Sequence, residues 1–169
     1  RVIWSTWGNW RAAHPETQLM TTNTGFQRRY GSDPYGGYNP PSGYYSQDRT
    51  MFEPLASTDV ETAKTVVLGA RTPEGAIAFN KENLLAEGVL TGTAGGVDFV
   101  AVADPALQTG YVYRNDEGAT VEATGSESGQ YTVDGQPAAA AELPLDGVVA
   151  VDAMFFAWYG FYPEMSYVD

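Results

Sequence analysis

His14 is the single histidine of the chain, and Pro15 follows it. An imidazole is a side chain suited to metal ligation or proton transfer. The same ring can serve structurally, bonding a carbonyl at a helix end. Arg28 and Arg29 stand beside Tyr30, with Asp33 and Tyr35 close behind. Two guanidinium groups among tyrosines can hold a carboxylate, a sulfate or a sugar by forked hydrogen bonds and stacking. Beside Asp33, the same arginines can instead fasten a long loop. His14, Arg28, Arg29, Tyr30, Asp33 and Tyr35 are therefore the candidate ligand or interface residues. No catalytic residue stands out. With 21 acids, carboxylate pairs occur at every spacing, so a glycosidase-type pair cannot be selected. Cysteine is absent, which removes disulfides, thiolate ligands and thiol nucleophiles. Nucleophile elbows, phosphate-binding loops and dinucleotide fingerprints are missing. The residues lean away from an enzyme, and neither a cofactor nor a metal is expected.

The 169 residues are 43% hydrophobic, enough for a real core in one domain. Nine Lys and Arg oppose the 21 acids, for a formal charge of −12. Such a surface repels phosphate, so nucleic acid is not an expected partner. No apolar run reaches the roughly 20 residues that cross a bilayer as helix, and the chain reads as not membrane-spanning. Its start at Arg1 reads as a mature product or a fragment. The charge is unevenly placed: residues 1–50 hold five Arg and three acids, residues 51–169 four bases and 18 acids. Lysine occurs only at 64 and 81. Dense carboxylates hold water and counterions, and salt screens their mutual repulsion. Adaptation to high salt is expected, in an extracellular or cell-surface protein, with a cytoplasmic one still open.

The elements that position these residues are short. Ser5 or Thr6 caps a helix over 6–13, which Pro15 stops. Trp7 and Trp10 share its face. Residues 18–22 are a strand candidate. Residues 23–50 are rich in Gly, Pro and Asn and carry Tyr30, Tyr35, Tyr38, Tyr44 and Tyr45. They read as a long ordered loop held by aromatic packing, with Phe26 and Phe52 contributing. From 64 onward, strands are expected at 66–70 and 76–79 around a Thr72–Gly75 turn. Asn80 caps a helix over 81–87 that Gly88 ends. Residues 89–93 and 97–103 form a hairpin over Gly95-Gly96. Residues 111–114 and 119–124 read as a second hairpin, 131–133 as a short strand, Ala-rich 137–142 as a turn of helix, and 148–151 as a last strand. Asp152 caps a final helix over 153–161. The fold class is mainly β: a small barrel or sandwich of short antiparallel strands with a few short helices and the Tyr/Gly/Pro-rich ordered loop.

The two ends echo one another. Trp10, His14, Pro15 and Glu16 match Trp158, Tyr162, Pro163 and Glu164, and Trp7 matches Phe155. Each set reads as a short aromatic helix laid on a sheet, so a duplicated unit is expected, with Trp10 and Trp158 as core residues.

The run Trp7-Gly8-Asn9-Trp10-Arg11-Ala12-Ala13-His14-Pro15-Glu16-Thr17, followed by Thr24-Gly25-Phe26-Gln27-Arg28-Arg29-Tyr30-Gly31-Ser32-Asp33-Pro34-Tyr35-Gly36-Gly37-Tyr38, resembles the family known as domain of unknown function 3179. Val67-Leu68-Gly69, Ala76-Ile77-Ala78-Phe79, Gly95-Gly96 and Phe156-Ala157-Trp158 fit it too. The resemblance covers nearly the whole chain, as the second half of a typical member. It implies two copies of one β-rich unit. Residues 1–22 are then the tail of a preceding repeat, 23–63 the loop and connection, and 64–169 the second repeat. Many members carry Cys-Pro-Leu-Cys-Gly in the first copy, which implies redox or metal chemistry there. The expected function is a non-catalytic structural or binding domain of a salt-adapted surface or secreted protein. The alternatives are an accessory part of a redox or metal enzyme centred in the preceding repeat, and a subunit-assembly module. The expected partners are that repeat or another protein subunit.

Overall fold

The computed structural model describes residues 1–32, 48–125 and 129–169. The strands lie where β-branched and aromatic residues cluster between turn signals. Two of them, β1 (Val66–Arg71) and β2 (Ala76–Asn80), form a hairpin. Helix α2 (Lys81–Glu87) follows at once. The Asn80 side chain accepts from the N–H groups of Glu82 and Asn83, and Gly88 at φ 85° ends the helix. A second hairpin joins β3 (Val89–Ala94) to β4 (Val97–Asp104). Gly95 and Gly96 have φ of 60° and 79°, the left-handed pair that a two-residue turn requires. These elements, with a helix α1 at Trp7–Ala13, match the sequence expectations closely.

The remaining elements are β5 (Thr109–Arg114), β6 (Val121–Ala123), β7 (Gln130–Val133), β8 (Gln136–Ala139), β9 (Gly147–Val148), β10 (Ala150–Met154), α3 (Phe155–Phe161) and β11 (Ser166–Val168). They build three sheets, in the orders β10-β1-β2-β11, β3-β4-β5-β9 and β6-β7-β8. All neighbours are antiparallel except β11, which runs parallel to β2. Packing is sandwich-like, without a closed barrel.

Side-chain alternation assigns each face. Leu68, Ala70, Ile77 and Phe79 of the first sheet meet Val97, Phe99, Ala101 and Ala103 of the second. The intervening Val100 and Val102 turn the other way, onto Tyr131 and Val133 of the third sheet. Val67 and Ala78, on the far face of the first sheet, lie under Phe155 and Trp158 of α3. The layers thus run α3, first sheet, second sheet, third sheet. The β4 run is apolar on both sides because both of its faces are covered. Tyr131 donates to the carbonyls of Gly88 and Ala103, and Tyr113 to that of Ala140, tying the third sheet to the second.

Several expectations are corrected. Residues 18–22 form no strand in this chain. Ala138 and Ala139 lie in β8 rather than in helix, since pairing with β7 outweighs alanine's helix preference and Pro137 lacks a helical donor. Residues 111–114 and 121–123 belong to different sheets, so the second expected hairpin does not form. Asp152 caps nothing: it is buried within β10, and Met154 is the N-cap of α3. Trp158 is a core residue, whereas α1 buries none of its residues, Trp10 included. Phe26 and Phe52 are 71% and 80% exposed, so neither packs as expected.

Candidate functional site

The charged residue most deeply committed to the fold is Asp152. Its position inside an apolar strand turns the carboxylate toward α2, where the Asn80 cap places Lys81 in the first turn. Asp152 Oδ2 lies 2.8 Å from Lys81 Nζ and accepts from the Trp4 N–H at 2.7 Å. Its Oδ1 accepts from the Thr109 hydroxyl at 3.0 Å. Lys81 also donates to the Trp4 carbonyl at 3.1 Å. Both ions are shielded, with side-chain exposures of 10% for Lys81 and 0% for Asp152. Such a pair is held only when hydrogen bonds fill its remaining positions, and here they do. The knot joins β10, α2, β5 and residues 1–4.

Those first residues are fastened in two further ways. Val2 forms a parallel bridge to Val151, and the Asp152 N–H donates to the Val2 carbonyl at 2.9 Å. Arg1 donates to the Gly110 carbonyl at 2.7 Å and lies 3.8 Å over the Tyr111 ring. The N-terminal arm thus adds to the β10 edge of the first sheet. A cleft of about 560 Å³ opens beside the knot, between Trp4, Lys64, Asn80 and Gln108.

The arm leads into α1, whose geometry repeats α3. The N-caps, Thr6 and Met154, have φ/ψ of −77°/152° and −74°/143°. The C-caps, His14 and Tyr162, have −130°/70° and −132°/67°. Each cap N–H bonds back to the tryptophan carbonyl. The His14 ring sits 4.2 Å from Trp10 at 42°, and the Tyr162 ring 4.5 Å from Trp158 at 48°. One bond differs. Trp10 Nε1 donates to Thr17 at 2.9 Å, while Met165 stands at the counterpart of Thr17 and buried Trp158 Nε1 has no partner.

Their surroundings also differ. Trp158 covers Gly69, where a Cβ would come within 2.5 Å of the indole; that strand position must lack a side chain. Tyr162 and Arg71, Thr72 and Pro73 of the β1–β2 turn border one cleft, with the Arg71 guanidinium 6.0 Å from the Tyr162 ring. His14, by contrast, is exposed, and Trp7 is 50% exposed.

Of the other candidates, Arg28 and Arg29 are exposed, and Tyr30 shares a hydrogen bond with Thr24. Asp33 and Tyr35, with Tyr38, Tyr44 and Tyr45, lie outside the described residues. Among the described residues, no hydrogen bond or ion pair joins His14 to Arg28, Arg29 or Tyr30, and no cluster of metal-ligating side chains occurs. Sequence reasoning missed Lys81 and Asp152. The signal was present: one of two lysines in the chain opens a helix directly after an apolar strand, and one acid interrupts an apolar strand.

A second polar group closes the C-terminal strand. Tyr167 donates to Glu61, and Asn80 donates to Tyr167 and to Asp169. Partial burial raises the Glu61 carboxyl, but bonds from Tyr167, Thr62 and Thr65 outweigh it and hold it below its ordinary value of 4.5. Burial, with the Glu61 bond, pushes the Tyr167 hydroxyl well above 10. Glu61 therefore adds stability that is present above pH 4.5 and lost as pH falls through its lowered value. Tyr167 adds stability present below pH 10 and lost as pH rises through its raised value. Denaturant midpoints followed across pH are expected to fall at both ends, and Glu61→Gln to soften the acid limb.

The family described as "Protein of unknown function (DUF3179)" matches residues 1–165. No curated protein and no solved structure matches the chain.

Proposed function

The chain belongs to the family described as protein of unknown function DUF3179, and on that premise we propose that it is a non-catalytic docking domain of a salt-adapted surface or secreted protein. One observation carries the reading. α1 has the geometry of α3, yet α3 is seated on a sheet while α1 and the residues after it leave apolar side chains in solvent. The sandwich is the scaffold, and the knot at Asp152 fixes the arm from which α1 projects. Arg28 and Arg29, exposed and a little later in the same N-terminal stretch, add positive charge to an otherwise acidic molecule and suit the docking segment to an acidic partner.

The test is oxidative footprinting of Trp7 and Trp10 in the protein isolated from its natural source. Shielding of both relative to residues 1–169 alone is expected. Equal modification in the two samples sinks the docking role.

His14 supports a second reading, an accessory part of a redox or metal enzyme. Its counterpart Tyr162 borders a hairpin turn, and an imidazole at such a turn can ligate or move a proton. Stoichiometric metal in the natural protein that His14→Ala removes is the result that favours it.

Salt adaptation has its own expected outcome. Residues 51–169 carry 18 acids against four bases. Unfolding midpoints are expected to fall as potassium chloride is diluted from molar to millimolar, because the carboxylates lose their screening. A flat response removes the salt-adaptation argument.

A further inference from the structure

In β10–α3–β11, β10 pairs antiparallel with β1, β11 pairs parallel with β2, and Trp158 rests on Gly69 between them. The module grips the β1–β2 hairpin by both edges and one face. Residues 2–6, α1 and residues 18–20 follow the same order along the chain. Phe155 is 2% exposed, but its counterpart Trp7 is 50% exposed. Tyr167 and Val168 lie in the β11 edge strand, but their counterparts Leu19 and Met20 are 70% and 85% exposed. One edge of the arm is already fixed, since Val2 pairs with Val151. Among the described residues no strand pairs with the other edge of the arm, so that edge is open to pairing.

We propose that residues 2–6, α1 and residues 18–20 grip a second β-hairpin, supplied by a segment of the same polypeptide N-terminal to Arg1. The order of the fold argues for that source, because β1–β2 likewise precedes the module that holds it. The first strand of the guest pairs antiparallel with 2–6, and the second pairs parallel with 18–20. A glycine of the first strand lies beneath Trp10, as Gly69 lies beneath Trp158. The turn of the guest lies at His14, as the Arg71–Pro73 turn lies at Tyr162. Both hairpins then share one continuous sheet through β10 and the arm. The main-chain pairing gives affinity, and the glycine selects the guest, since any side chain there meets the indole.

This inference rests on the docking role proposed above, and the experiment separates the two. Hydrogen–deuterium exchange of residues 18–20 is compared in the natural full-length protein and in residues 1–169 alone, both in molar salt, alongside the footprinting of Trp7 and Trp10. Exchange at 18–20 is expected to be slower in the natural protein by on the order of 100-fold. Shielded tryptophans with equally fast exchange at 18–20 overturn the hairpin while leaving docking intact. Equal modification and equal exchange overturn both. A natural polypeptide with no hairpin before Arg1 overturns the proposal. So does protection at 18–20 that appears in residues 1–169 alone and rises with concentration, which makes a second copy the occupant.

Discussion

Asp152→Ala is expected to lower stability by about 3–5 kcal/mol, the cost of removing one partner from a buried ion pair. The variant leaves Lys81 Nζ beside the Trp4 carbonyl with no counter-ion, and leaves the Trp4 N–H and Thr109 hydroxyl without their acceptor. Denaturant midpoints at constant molar salt measure the loss. The double variant Lys81→Met with Asp152→Leu is expected to recover much of it, because no unpaired charge is then buried. The arm should respond as well: exchange at the Trp4 amide is expected to speed up in Asp152→Ala before the core opens. A loss below about 1 kcal/mol, as for surface pairs, would show that the knot is not a clamp.

Trp158→Ala is expected to cost about 3–5 kcal/mol, and Trp10→Ala less than about 1 kcal/mol, in residues 1–169. The two residues share local backbone geometry, so helix propensity cancels from the comparison. What remains is the sheet. Trp158 lies against Gly69, Val67 and Ala78 with 9% of its surface exposed, whereas α1 buries no residue. Gly69→Val should approach the Trp158 loss, because its Cβ would lie 2.5 Å from the indole and drive the ring off the sheet. Equal costs for Trp10→Ala and Trp158→Ala would mean that α1 is already packed, and the docking reading would fail with that result.

Local signals in the sequence placed all three helices to within a residue or two, and the β1–β2 and β3–β4 hairpins. Asn80 and Gly88 bound α2 by side-chain capping and a positive φ, which are chemistry readable at short range. Of the misses, one is local and one is long-range. The Ala-rich run at 137–142 reads as helix, although Asp134 and Gly135, with φ of 49° and 77°, form the two-residue turn that folds β8 back onto β7. Asp152 reads as a cap because a carboxylate before an aromatic run commonly is one. Its real partners, Lys81, Thr109 and Trp4, come from three distant parts of the chain. Trp10 shows the converse. Its spacing gave the right helix, but burial depends on a sheet, and the sheet under Trp158 has no counterpart under Trp10 among these residues. The pattern at His14 and Trp10 was therefore legible as a helix and its end, while the role of Asp152 was illegible.

The position of β10 and β11 in the chain sets the timing of folding. The β1–β2 hairpin emerges from the ribosome early, but both strands that flank it, and the helix that covers its outer face, lie at 150–168. Until that segment is made, Val67 and Ala78 face solvent, and the hairpin offers two unpaired edges to any neighbouring chain. Contacts of such sequence separation are slow to form and leave nascent chains prone to aggregate. A nascent chain stalled before residue 150 is thus the species with most need of a chaperone, and loss of the last twenty or so residues should appear in cells as insoluble protein rather than as a weakened fold.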